Sequence, residues 1–224
     1  MTTTKAPKPN RDPQVSAAQD AANPKARIFA AASGLFLEGG VAALSVRAIA
    51  ARAGISTIGI YSHFKGKQGI LDALYVEGFE MVIDSMTVAD TSLSPRDAIL
   101  TAAAQYLDMA EAHTAHYNLI FGERGPDFRP SPEAEQVGAR AFNTMAKLIN
   151  ALRGDDATPK QQQDAAVQTW ALLHGYVSLR HHDVGRMVVM SDWKQQALAA
   201  LGVLVEGLMR TTSSSPYIDT TQGL

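Results

Sequence analysis

From Pro24 onward, apolar residues recur at intervals of three and four, and runs alternating every second residue are scarce. That period gathers apolar side chains into one stripe per helix and leaves the other face polar. Cap chemistry marks the boundaries. Asn23-Pro24, Ser94-Pro95, Ser131-Pro132 and Thr158-Pro159 each pair an N-cap side chain with proline at the first helical position. There proline's missing N–H is no loss and its fixed φ suits the turn. Gly39-Gly40 and Gly54 can take the positive φ that ends a helix. The pattern predicts helices over Pro24–Glu38, Val46–Ala53, Thr57–Phe64, Lys67–Val88, Pro95–Glu111, His113–Phe121, Pro132–Leu152, Pro159–His181 and Asp192–Arg210. The expected class is all-α. Residues 1–22, polar and carrying Pro7, Pro9 and Pro13, read as a flexible arm, and 211–224, with its Ser213–Pro216 run, as a flexible tail.

Composition narrows the functions available. A 46% hydrophobic share over 224 residues fills a real core. The absence of cysteine removes disulfides, thiolate metal sites and thiol nucleophiles. No window approaches the roughly 18 unbroken apolar residues of a membrane span, and the first residues lack a signal-like apolar run. A cytoplasmic setting without membrane contact is expected. Gly-rich phosphate loops, His-Glu-x-x-His and Gly-x-Ser-x-Gly are also missing, so the expectation is a protein without enzymatic activity, catalytic residues or cofactor. The net charge of -2 hides a division. Residues 23–70 carry Lys25, Arg27, Arg47, Arg52, Lys65 and Lys67 against Glu38 alone, a balance of +5; the arm holds +1 and the remainder -8. A positive segment on a negative body suits a polyanion.

That segment also carries a motif. Ser45 is placed to cap a short helix with Val46, Ile49, Ala50 and Ala53 inward. Gly54 turns the chain, and Ser56 caps a second short helix with Ile60 and Phe64 inward. Two short helices across a tight glycine turn make a helix-turn-helix, whose second helix enters the DNA major groove. Tyr61, His63, Thr57 and the helix-start N–H groups can donate to phosphates, as can Lys67 at the next helix start. Thr57, Ile58 and Tyr61 are placed to read base edges, Ile58 against a thymine methyl. No Arg, Lys, Asn or Gln precedes Lys65 on this helix, so Arg47 is the expected compensating base reader, with DNA shape carrying part of the rest. Lys25, Arg27, Ser45, Ser56, Ser62 and Lys65 complete the expected DNA-facing set.

Gly54-Ile-Ser56, Tyr61-Ser-His63-Phe64 and Lys67, with Ser45 and Ile49-Ala50, closely resemble the N-terminal domain of TetR-type transcriptional repressors over about Lys25–Leu71. In that family a Tyr-x-His-Phe signature closes the recognition helix. Trp170-Ala-Leu-Leu-His174-Gly175 resembles the Trp-x-x-x-His-Gly element of one C-terminal subgroup. The resemblance implies a helix-turn-helix domain over 23–70, joined by a long helix to an effector-binding and dimerisation bundle over 71–210. It further implies a homodimer on double-stranded, palindromic operator DNA, released by a small, largely apolar effector. The alternative is a DNA-binding factor of the same fold with no effector.

In the bundle, Tyr106, Met109, His113, Tyr117, Phe121, Phe142, Met145, Trp170 and His174 are the expected effector-lining residues, since several join an apolar body to a polar tip. Ordinary core faces would look the same. For dimerisation, Ala197, Leu201, Leu204 and Leu208 form a seam on the last helix, and Gly175 and Ser178 allow close approach on the one before it. Intramolecular packing would also produce that seam. His181-His182-Asp183 is the one metal-like cluster, but adjacent histidines on a helix point about 100° apart and no metal is expected.

Overall fold

The computed structural model describes residues 23–122, 128–153, 157–181 and 190–211. The arm, most of the tail, His182 and Asp183 lie outside the described residues. What is described is helical, without strands, and forms two compact units: the first comprises residues up to Leu74 with Phe128 and Arg129, the second Tyr75–Gly122 and the described residues from Pro130 onward.

The first unit holds α1 (Pro24–Ala43), α2 (Val46–Ala53), α3 (Thr57–Phe64) and the start of α4 (Lys67–Ser85). Each of the first three helices starts on a side-chain cap. Asn23 Oδ1 accepts from Lys25 N at 2.9 Å, Ser45 Oγ from Ala48 N at 3.1 Å, and Ser56 Oγ from Gly59 N at 3.2 Å. Gly54, at φ 63°, ends α2 in the left-handed region. Ile28, Ala32, Leu44, Ile49, Ile60 and Ile70 are almost wholly buried and form the core that α1, α2 and α3 share.

Two helix ends differ from expectation. The first helix does break at Gly39-Gly40, where Gly40 takes φ 61°, but one further turn carries helix to Ala43. The next long helix stops at Ser85, not Val88. Thr87 closes back on it through N–H to Asp84 O and Oγ1 to Ile83 O, and Asp90 then caps Ser92. Local side-chain bonds of this kind compete with continued helix. By length and mean composition α1 is apolar enough to cross a membrane. Its two glycines break the helix, however, and Ile28, Ala32 and Phe36 are committed to the core.

The second unit holds the rest of α4, then α5 (Pro95–Ala112), α6 (Thr114–Phe121), α7 (Pro132–Arg153), α8 (Pro159–His181) and α9 (Trp193–Thr211). Helices α5, α7, α8 and α9 touch in every pairing, so they are a four-helix bundle, and α6 packs on α5. Thr158 and Gln161 cap α8 reciprocally: Thr158 N donates to Gln161 Oε1 and Gln161 N to Thr158 Oγ1. Of the seam expected on α9, Ala197, Leu201 and Leu208 are buried within the subunit along with Val205, whereas Leu204 is half-buried. Lys194 ties α9 to α5 through Asp108 at 2.5 Å and Glu111 at 2.6 Å. Its hydrogen bond holds the Glu111 carboxyl below its ordinary value.

Candidate DNA-reading surface and effector site

Ile60 and Phe64 anchor α3 to the core, which turns the opposite face outward. Thr57, Ile58, Tyr61, Ser62 and His63 are all exposed there, Ile58 at 79% and Tyr61 at 59%. Close packing behind them fixes that face. A Cβ on Gly59 would stand 2.5 Å from Ile55 Cγ2, and one on Gly69, at the start of α4, only 1.6 Å from the Phe64 carbonyl oxygen. Glycine at both positions lets neighbouring segments seat against α3. Gly66, at φ 91°, leaves room for the Tyr61 ring, whose Cε1 would lie 2.9 Å from an added Cβ. Two hydroxyls are already engaged: Ser56 caps the helix, and Ser62 Oγ donates to Gly59 O at 2.9 Å.

The six cations of residues 23–70 have different surroundings. Arg52 makes a two-point ion pair with Glu38 at 2.7 and 2.9 Å, whose hydrogen bond lowers the pKa of the Glu38 carboxyl. Arg27 Nη2 donates to the carbonyls of Ala53 at 2.6 Å and Gly54 at 3.3 Å, closing the C-terminus of α2. Lys67 Nζ donates to Val41 O at 3.1 Å. Lys25 sits 5.7 Å over the Phe64 ring. Arg47 and Lys65 are exposed, and neither side chain bonds to another described residue. In sequence all six look equivalent; only geometry separates clamps from exposed charges.

In the second unit, six of the nine residues expected to line an effector site come together with direct ring contacts. Tyr117 meets Phe121 at 5.0 Å and stacks with His174 at 5.8 Å, while Trp170 meets Phe121 at 5.7 Å and Phe142 at 6.0 Å. Tyr106 meets the Tyr117 ring at 6.2 Å and also joins it through oxygen. Its hydroxyl donates to Tyr117 OH at 3.1 Å, and Tyr117 OH lies 2.6 Å from His174 Nδ1. Burial raises both phenols above the ordinary tyrosine value and keeps them protonated. Met109 and Met145 are buried in the same unit, whereas His113 is exposed at the α5–α6 junction.

Three further partners are not among the residues expected at this site, His181 belonging only to the metal-like cluster of the sequence. Phe79 meets Phe121 at 5.5 Å and His181 meets Tyr117 at 5.5 Å. Glu77 bonds His116 Nε2 at 2.7 Å, and with the Glu80–Arg140 pair this fastens α4 to α6 and α7. The signal that could have found the two carboxylates is the i, i+3 spacing of Glu77 and Glu80 on one helix face. Among the described residues no group of three His, Asp or Glu side chains is arranged to hold a metal ion.

An outward-facing recognition helix on a positive unit, followed by a helical bundle, defines a class: helix-turn-helix regulators with a second helical domain. The family model for bacterial regulatory proteins of the tetR family matches residues 28–74, and that for the tetracyclin repressor-like C-terminal domain matches 99–203. The chain belongs to the TetR family. It is therefore a DNA-binding transcriptional regulator and not an enzyme. No curated protein matches it. A Rhodococcus sp. RHA1 protein of unknown function is 23% identical, with 84% of this chain and 96% of that chain covered and a TM-score of 0.71. PfmR, a TetR family regulator from Thermus thermophilus, is 18% identical over 80% of this chain and 97% of its own, with a TM-score of 0.58. A TetR variant from Acinetobacter baumannii AYE, solved in complex with minocycline, is 20% identical over 84% and 97%, with a TM-score of 0.58. These likenesses concern fold.

Proposed function

We propose that this regulator is a cytoplasmic homodimeric repressor whose α3 reads a palindromic operator and whose bundle binds a small, largely apolar effector that releases it. Supporting the effector site is the aromatic group around Tyr117, with its line of polar atoms running from Tyr106 through Tyr117 to His174. A mostly apolar wall with a few orienting groups is how small-molecule sites are built. The TetR variant bound to minocycline provides a precedent for a ligand on this fold. An effector preferring the released state 100-fold shifts the equilibrium by about 2.7 kcal/mol, enough to free an operator held near threshold.

Supporting the dimer are glycines with nothing beside them. A Cβ on Gly175 of α8, or on Gly202 or Gly207 of α9, would meet no described atom within 4 Å beyond its own stretch of helix. Glycine costs a helix about 1 kcal/mol against alanine, so smallness here has no use inside the subunit. The same two helices expose Val167, Leu179 and Val203. A second copy, laying α8 and α9 against their counterparts, uses both features.

Native mass spectrometry of the purified protein tests the proposal. The expected result is a dimer retaining a small organic adduct, with the adduct reduced in Trp170→Ala and the dimer weakened in Gly175→Leu. A protein that is monomeric at micromolar concentration, or whose operator affinity ignores every apolar metabolite tried, contradicts it.

A further inference from the structure

The outward face of α3 is poor in hydrogen-bonding groups able to distinguish bases. It has no Arg, Asn, Gln, Asp or Glu to make a two-point contact with a base, the Ser62 proton is committed to Gly59 O, and Ser56 caps the helix. The exposed Tyr61 and His63 offer one-point contacts that suit phosphates as well as bases. Thr57 offers a hydroxyl that bonds donors and acceptors alike and so discriminates weakly. At the centre of this face stands Ile58, which at 79% has the highest exposure of the unburied large apolar side chains. Nothing in its own unit needs it there. The helix is held by Ile60 and Phe64 on the other side, and alanine at position 58 would suit helix formation better. A single branched aliphatic group in a positively charged setting is too small for a protein docking site, which needs a buried cluster. It matches the size of one methyl group.

Resting on the DNA-reading role above, we propose that Ile58 packs against the C5-methyl group of a pyrimidine in each half-site, and that this methyl, rather than a hydrogen-bond pattern, selects the base there. Thymine is the only standard base that presents such a group in the major groove. Two consequences separate this readout from hydrogen bonding. Deoxyuridine keeps every hydrogen-bonding atom of thymine and lacks the methyl, so it is a poor replacement. Cytosine at the same position gains affinity when methylated at C5, because 5-methylcytosine places a methyl at the same place in the groove. Cytosine C5 methylation of a variant operator would therefore raise occupancy by this regulator.

The test begins with selection of bound duplexes from a random-sequence pool by the wild-type protein. Each thymine of the enriched site is then replaced singly by deoxyuridine, and affinities are measured for wild type, Ile58→Val and Ile58→Ala. One thymine per half-site should lose about fourfold in affinity without its methyl, and both together more than tenfold, given the worth of one buried methyl-sized group. The loss should shrink in Ile58→Val and fall below about twofold in Ile58→Ala. At that position, 5-methylcytosine should bind wild type better than cytosine by a similar factor. An enriched site in which no methyl removal distinguishes wild type from Ile58→Ala overturns the proposal and leaves DNA reading intact. A pool that enriches nothing removes both.

Discussion

Tyr106 and Tyr117 keep their protons because phenolate is penalised in a buried setting, and each then serves the other as a neutral partner. Both folded-state values lie above the unfolded value of about 10. Their contribution to stability is therefore complete below pH 10 and is lost as pH rises beyond it, when the unfolded chain begins to release protons that the folded one retains. In an ultraviolet titration, Tyr106 and Tyr117 should stay silent until the protein unfolds. Tyr117→Phe should make unfolding less steep above pH 10; smooth ionisation of Tyr106 and Tyr117 in the folded protein would contradict the burial. Tyr106, Tyr117, Trp170 and His174 stood out in the sequence because each joins an apolar body to a polar tip, but their meeting across three helices is visible only in the structure. Exposed His113 was not separable, since a residue at a helix end shares its neighbours' period while facing water. Arg27 and Arg52 were similarly opaque, because the Ala53 carbonyl and Glu38 that occupy them are distant in sequence.

At the scale of elements, caps transferred from sequence to structure almost unchanged. An N-cap bond is local, so the residues that make it are adjacent in the chain: Asn23, Ser45, Ser56, Ser94 and Thr158 all accept the expected backbone N–H. The seam on α9 transferred as a buried side, not as a choice of partner. A four-and-three spacing establishes that a helix buries one side, but the partner can equally belong to the same subunit or another. Here Ala197 and Leu201 face the bundle, while the positions of Gly175, Gly202 and Gly207 have open space beside them. The α3–α4 junction depends on glycine more sharply. Gly69→Ala places a Cβ against the Phe64 carbonyl oxygen, and relief requires moving α3 or the start of α4. The variant should lose about 1–3 kcal/mol of stability, read as a lower thermal midpoint, and should bind operator more weakly than an equally destabilised bundle variant. Unchanged melting would show that the junction has slack.

Across the whole molecule, net charge concealed what its distribution reveals: +5 on residues 23–70 and -8 beyond them, within a total of -2. The structure reduces the useful part further, because Arg52 is neutralised by Glu38 while Arg47 and Lys65 remain exposed. Phosphate binding by those exposed cations must appear as salt dependence, since each phosphate neutralised releases condensed counterions. The most direct measurement is the slope of log affinity against log salt for the selected duplex, compared among wild type, Arg47→Ala and Tyr61→Ala. All three should melt alike, because both side chains are exposed. Arg47→Ala should bind more weakly with a slope shallower by about one per subunit. Tyr61→Ala should also weaken binding. If both folded variants bind with wild-type affinity and wild-type slope, α3 and its cationic surroundings are not the surface that meets DNA.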